Sequence, residues 1–84
     1  MFERGQVVIS AAGRDNGHLL AIVSSDDSYA YVCDGKERPL NNPKRKNPKD
    51  IKICDMKLTD SQMNSDRALR KALAILSADI EKGR

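Results

Sequence analysis

Positive side chains concentrate in one segment near the middle of the chain, residues 36–52. This basic segment carries seven Lys and Arg against two acidic residues, a net charge of +5, which leaves −2 for the rest of a chain whose total is +3. It also contains all three prolines, which exclude a helix or a central strand and favour an extended loop. An extended row of cations matches a phosphate backbone, whose neutralisation releases counterions. A solvated surface loop with an incidental charge run is the alternative that composition leaves open.

A second candidate site is the short polar stretch GRDNGH at residues 13–18. Its two glycines suit a tight connection and let a nucleic-acid backbone approach closely. Arg14 offers a phosphate contact, and Asn16 and His18 offer hydrogen bonds or stacking. For His18 alone, a structural or simply exposed position is the commoner case.

Two tyrosines, Tyr29 and Tyr31, fall two residues apart and therefore on one face of a predicted strand. Such a pair can form a platform on which bases stack. Packing in the core or at its rim is the favoured alternative, because Phe2 is the one other aromatic residue and the chain has no Trp.

The sequence contains no recognisable set of catalytic residues. No Ser, Cys or Lys has an evident base and orienting partner, and neither glycine-containing loop matches a phosphate-binding or dinucleotide fingerprint. The single His18 and the two cysteines, Cys33 and Cys54, lack metal-ligand spacing. We interpret both cysteines as reduced and buried, with a disulfide between them as a minor alternative. We therefore expect a protein that is not an enzyme and has neither cofactor nor metal.

Four short stretches carry the β-branched or alternating apolar pattern of strands, with polar turns between them. In the second stretch, Leu20 and Ile22 lie on one predicted face and Leu19, Ala21 and Val23 on the other. The predicted strands are residues 6–10, 18–24, 29–33 and 50–56.

From about residue 66 the apolar residues recur at the three- and four-residue spacing of an amphipathic helix. Its apolar stripe is Leu69, Leu73, Leu76 and Ile80. Two starts are open: a capping box formed by Thr59 and Gln62, or a cap among residues 64–66. Lys82 followed by Gly83 suits the helix end.

These elements predict one domain of 84 residues, mainly β, in which short strands form a small closed or partly closed barrel. Residues 1–58 form this barrel, and residues 59–84 form a helical extension of the same domain. No apolar run is long enough for a signal peptide or a membrane span, so we expect a cytoplasmic protein without membrane contact.

The stretch from Gly5 through Gly17 to Val23 resembles the KOW motif, in which alternating apolar residues surround a glycine. The continuation VCDGKERPL at residues 32–40, then PKRK at 43–46 and IKI at 51–53, is similar to bacterial KOW-domain proteins akin to the L-fourteen-e group of ribosomal proteins. The resemblance covers residues 4–58. It implies an SH3-like barrel of four to five strands that binds RNA, usually ribosomal RNA. The expected contacts lie in the loop between the first two strands, which contains GRDNGH, and in the basic segment.

The expected function is therefore that of an RNA-binding module of translation, ribosomal or ribosome-associated. Asn16 and His18 flank Gly17 where many KOW loops carry lysine, so we expect the basic segment to contribute more of the affinity. The expected RNA contacts are Arg14, Asn16, Gly17, His18, Lys36, Arg38, Lys44, Arg45, Lys46 and Lys49.

Two other functions stay open at this level. An SH3-like barrel can also bind protein partners, and the apolar stripe can pair with a partner helix. Transcription-associated KOW proteins bind duplex DNA, which is the third alternative. We expect the stripe to pack on its own barrel instead, because so thin a core needs cover, and the protein to be a monomer.

Overall fold

The computed structural model describes residues 2–82, with side chains through residue 80. The chain forms five strands, a short 3-10 helix and a C-terminal α-helix. In order these are β1 (Gln6–Ser10), β2 (Leu19–Ser25), β3 (Ala30–Cys33), β4 (Lys44–Lys46), the 3-10 helix (Pro48–Asp50), β5 (Ile51–Lys57) and α1 (Asp66–Lys82).

All five strands pair antiparallel in one sheet, in the order β4-β3-β2-β1-β5. Strand β1 pairs with both β2 and β5, so that Val8 lies beside Leu20 on one side and Ile53 on the other. The four predicted strands are confirmed, with boundaries shifted by no more than one residue. No ladder joins β4 to β5 within residues 2–82. The architecture is thus mostly β, one antiparallel sheet followed by one helix.

The basic segment is more regular than the predicted extended loop. Its residues Lys44–Lys46 form an edge strand that pairs with β3, which agrees with the exclusion of a central strand. The exclusion of any helix is wrong at Pro48–Asp50, which form one 3-10 turn. Proline is tolerated there because a first helical position needs no N–H donor, and the Asn47 side chain caps the turn by accepting from the Lys49 N–H.

Each face of the sheet carries its own apolar cluster. Strand alternation turns Val7 and Ala21 toward α1 and turns Val8 and Leu20 to the opposite face. The two faces predicted for the second strand are therefore confirmed. On the helix side the buried residues are Val7, Ala21, Cys33, Leu58, Met63, Leu69, Ala72 and Leu73, and on the other side they are Val8, Leu20, Ile22, Ala30, Val32 and Ile51.

The pairing of β1 with β5 contains a bulge. The register shifts between Gln6 and Val8, since Gln6 lies opposite Lys57 but Val8 opposite Ile53. The side-chain amide of Gln6 donates to the carbonyl oxygens of Cys54 at 2.6 Å and Met56 at 3.0 Å and so replaces ladder bonds. A second shift lies in the pairing of β2 with β3. Bulges of this kind increase strand bending and twist.

Helix α1 begins at Asp66, after a cap by Ser65, whose hydroxyl accepts from the Ala68 N–H at 3.1 Å. The alternative capping box also forms, because Thr59 and Gln62 bond to each other through backbone and side chain. It closes a separate turn before the helix. Gly83, the predicted stop, lies outside the described residues.

Three of the four residues of the predicted apolar stripe of α1 pack in the cluster on the sheet, whereas Ile80 is half-buried and lies outside that cluster. Leu69 is fully buried and Leu73 is 6% exposed, and Leu76 packs at the edge of the same cluster. The neighbouring Ile75 stays 54% exposed. The side of the helix that faces the sheet is thus covered by the chain itself.

Both cysteines are free. Cys33 is buried, and this burial, with a smaller effect of the Asp34 and Asp66 carboxylates, raises the pKa of its thiol to about 12. Cys54 is half-buried, where the prediction had it buried, and its burial raises the thiol pKa in the same direction. In residues 2–82, no group of three or more His, Cys, Asp or Glu side chains is placed to hold a metal ion. None of the described helices has the length and apolar character needed to span a membrane.

Candidate nucleic-acid interface

The two segments singled out from the sequence meet in the structure. The glycine loop, residues 11–18, connects β1 to β2, and the basic segment returns to it through β4. The Lys44 ammonium lies 3.8 Å from Asp15 Oδ2, and the Lys46 ammonium lies 3.1 Å from Asp15 Oδ1. Asp15, which the sequence did not single out, therefore joins the two segments.

The glycine loop is held in a defined conformation by its own backbone. The Gly17 N–H donates to the Ser10 carbonyl at 2.7 Å, and the His18 N–H donates to the Asp15 carbonyl at 2.9 Å. Gly17 has a φ of +85°, and a Cβ placed there would meet no described atom within 4 Å. Backbone conformation, not space, is therefore what requires glycine at this position. Gly17, His18 and Asn16 are all exposed at the loop surface.

The Asp15 carboxylate is surrounded by hydrogen-bond donors and positive charges. Burial acts to raise the pKa of its carboxyl, but hydrogen bonds from Ser10 and Lys46 and the nearby Lys44 charge outweigh burial and lower it. The Ser10 hydroxyl lies 2.8 Å from Asp15 Oδ1. The carboxylate is consequently ionised and paired, so its repulsion of an approaching phosphate is reduced.

Lys46 occupies an internal position. It is 7% exposed, and its ammonium donates to the Ala12 carbonyl at 2.7 Å as well as contacting Asp15. This lysine fastens the glycine loop to β4. Because the Lys46 ammonium is buried and bonded to groups of the protein itself, a direct contact with phosphate is not expected.

Arg45 lies on the opposite side of β4 from Lys44 and Lys46, as the alternation of a strand requires. Its guanidinium lies 4.6 Å from the centre of the Tyr29 ring, a cation–π contact. The neighbouring Tyr31 donates its hydroxyl to Asp26 at 2.8 Å. Both tyrosines are half-buried, and neither is packed against the described apolar clusters of the sheet. The expected row of cations is thus divided between two faces.

Three other cations of the two segments line a depression of about 340 Å³. Arg14 comes from the glycine loop, and Arg38 and Lys44 come from the basic segment. Asp15, Asp34 and Glu37 also line the depression. In the part of the chain with described side chains, neither Arg14 nor Arg38 forms an ion pair.

Asp34 shapes the turn that carries the next cations. Its Oδ1 accepts from the Lys36 N–H at 2.8 Å and from the Arg38 N–H at 3.0 Å. These bonds fix residues 34–38 as a closed turn and occupy part of the carboxylate's capacity to accept. Lys36 itself is exposed on the turn and has no ion pair among the described side chains.

Beyond this turn lies a second hollow, the helix cleft, of about 440 Å³. Gly17, His18 and Lys36 line one side of it, and Arg70 of α1 lines the other. Sequence reasoning missed Arg70, because its place beside the loops depends on how the helix docks and no local pattern signals that. Of the predicted residues, Lys49 lies on the 3-10 helix and lines neither hollow.

Comparison with known proteins adds no relative to this picture. No protein-family model matches the chain, and no curated protein matches it significantly. The site is therefore interpreted from its own chemistry.

Proposed function

We propose that this protein is an RNA-binding module, ribosomal or ribosome-associated, that contacts structured RNA with the end of the sheet where the glycine loop meets the basic segment. One observation carries the proposal. Arg14, Arg38 and Lys44, drawn from segments far apart in sequence, surround one depression, and Lys36 and His18 lie beside it.

The electrostatics of this end favour a phosphate partner. Arg14, Lys36 and Arg38 are exposed, and Asp15, one of the three carboxylates that line the depression, is paired with lysines. Phosphate contacts by exposed Lys and Arg supply most of the affinity of such interfaces. Arg45 and Lys46 fall outside the proposed contact set, because one packs on Tyr29 and the other is internal.

The preference for RNA over DNA rests on the resemblance to KOW-domain proteins and on the shape of the site. Short, rigid loops around a depression suit the irregular surface of folded RNA, where loops and bulges are recognised by shape. In the described chain no helix is free of the sheet to enter a DNA major groove, since α1 packs its stripe against β1, β2 and β3.

The SH3-like barrel is the fold that we propose for the sheet. Its second apolar cluster joins residues of β1, β2, β3 and β5, all at most 8% exposed, and Phe2 packs against it. A flat sheet would leave that face open to water. The proposed barrel would cover this face by curling the strands, and the two register shifts, typical of bulges that bend strands, support it.

The test is a matched pair of triple substitutions with equal loss of charge. The first replaces Arg14, Arg38 and Lys44 by Gln, and the control replaces Lys52, Arg67 and Lys71, which are exposed outside the depression. Binding to a ribosomal RNA hairpin is measured by fluorescence anisotropy over a range of salt concentrations. We expect the first triple to weaken binding and to flatten the slope of log K against log salt by about 2–3 units, and the control to change it much less.

Equal effects of the two triples would show that net charge, not this surface, governs binding. An unchanged slope in the first triple would remove the depression from the interface. Competition at fixed salt then separates the nucleic acids, since duplex DNA that competes as well as RNA would favour the DNA-binding alternative.

A further inference from the structure

The helix cleft exists because the turn at residues 34–38 approaches the first turn of α1 very closely. A Cβ on Gly35 would lie 3.0 Å from the Arg70 nitrogen and would overlap the Asp66 carbonyl. The Leu40 N–H also donates to Asp66 Oδ1 at 2.7 Å. These contacts fix the helix at a set distance from the glycine loop. The cleft between them is therefore a fixed feature of the packed chain.

The cleft combines an apolar wall with a cationic rim. Leu19, Leu73 and Ala74 supply apolar surface, while Lys36 and Arg70 supply positive charge. Hydrogen-bonding side chains stand at the same opening, namely His18 and Ser77. Among the described side chains, the carboxylate that lines the cleft is that of Asp34, which already accepts two backbone hydrogen bonds.

This chemistry fits a ligand with an apolar ring at one end and an anion at the other. A volume of about 440 Å³ lies in the range of small-molecule sites, roughly 300–1,000 Å³, and is large enough for one nucleotide. Sequence-selective proteins bind RNA mainly at bases that are unpaired and turned out of the helix.

We propose that the helix cleft binds one unpaired nucleotide of the RNA, with its base against Leu19, Leu73 and Ala74 and its phosphate at Lys36 and Arg70. The assignment rests on the proposed function and extends that interface onto α1. The depression around Arg14, Arg38 and Lys44 then holds the flanking backbone. The protein consequently prefers an RNA with a bulged nucleotide over an unbroken duplex.

A cavity-filling substitution tests the base site without a change of charge. Ala74 is exposed on α1 and lines the cleft, so the Ala74→Phe side chain fills the cleft without disturbing the core. The matched control is Ala78→Phe, because Ala78 is exposed one turn further along α1 and lies outside the cleft. Affinities are measured for a hairpin with a single-nucleotide bulge and for a fully paired hairpin of the same length. We expect Ala74→Phe to reduce the preference for the bulged hairpin by about tenfold, the change that corresponds to losing the burial of one base, and Ala78→Phe to retain it.

Adenosine 5′-monophosphate tests the same cleft without RNA. In an amide NMR titration we expect it to shift Gly17, Ala74 and Ser77, with smaller shifts for inorganic phosphate or adenosine alone. Arg70→Gln should weaken these shifts, and Arg67→Gln, an exposed arginine outside the cleft, should not.

Inorganic phosphate that causes shifts as large as those with adenosine 5′-monophosphate would overturn the nucleotide assignment. Shifts confined to residues outside the cleft would overturn it as well. Intact RNA binding with an unchanged preference in Ala74→Phe would overturn this inference alone. No RNA binding by the unsubstituted protein would overturn the proposed function together with it.

Discussion

Asp15 is the residue on which the candidate interface depends most. It receives hydrogen bonds from Ser10 and Lys46 and lies near Lys44, and so ties β1, the glycine loop and β4 together. Lys46 in turn is nearly inaccessible, and a buried ammonium that loses its carboxylate is costly. The geometry of the loop is therefore expected to follow the state of this one carboxyl group.

Asp15→Asn tests this role through stability. We expect the free energy of unfolding to fall by about 1–3 kcal/mol at neutral pH, because Lys46 then lacks its charged partner. The folded protein lowers the pKa of Asp15, so its carboxylate stabilises the fold above the acidic range and this contribution is lost as pH falls through the folded-state pKa. Urea denaturation at pH 6 and near pH 3 should show a difference between the two proteins that shrinks in acid.

Asp27→Asn is the control, since Asp27 is an exposed turn residue and its replacement should change stability by less than about 0.5 kcal/mol. If Asp15→Asn unfolds like the unsubstituted protein at pH 6, then the network does not hold the loop.

The different environments of Lys44, Arg45 and Lys46 could not be predicted from the sequence. Arg45 and Lys46 were grouped with Lys44 because all three are basic and adjacent. Their separate environments, one against Tyr29, one internal and one at the depression, follow from strand alternation. That alternation applies only once residues 44–46 are known to be a strand, and the run KRK carries no apolar pattern that would predict one.

At the scale of elements, the four longer strands and the helix were predictable because each has a local signal. Strands β1 and β2 are runs rich in Val, Leu and Ile, and α1 repeats its leucines at helical spacing. Strand β4 has no such signal, since its three residues are stabilised by pairing with β3. The contribution of Arg70 to the helix cleft was equally hidden, because it depends on the docking of α1 onto the turn at residues 34–38.

Gly35 tests that docking. Its φ is +78°, and a Cβ there would collide with backbone atoms of α1. We expect Gly35→Ala to lower the free energy of unfolding by about 2–4 kcal/mol, from unfavourable backbone conformation together with overpacking. The midpoint and slope of urea denaturation measure the loss.

Gly17→Ala separates the two causes. Gly17 has a similar positive φ but no described neighbour within 4 Å, so backbone strain alone applies and the loss should be about 1–2 kcal/mol. Equal losses at the two positions would mean that the turn does not pack on the helix as closely as described.

At the scale of the whole molecule, a thin core decides where function can lie. One sheet must bury both faces: α1 covers one, and a second buried apolar cluster lies on the other. The loops at the end of the sheet then carry Arg14, Lys36 and Arg38, three exposed cations, in a chain whose net charge is +3. The charge and the glycine loop were both recognisable in the sequence, but their meeting at Asp15 required the tertiary structure.

The central claim is that these two segments form one RNA-binding surface. Amide NMR mapping with an isotope-labelled protein and a ribosomal RNA hairpin tests it most directly. We expect the largest shifts to cluster in residues 13–18 and 36–44, while β5 and the side of α1 around Ile75 change little. Shifts concentrated in β5 or around Ile75, with both loops unchanged, would contradict it.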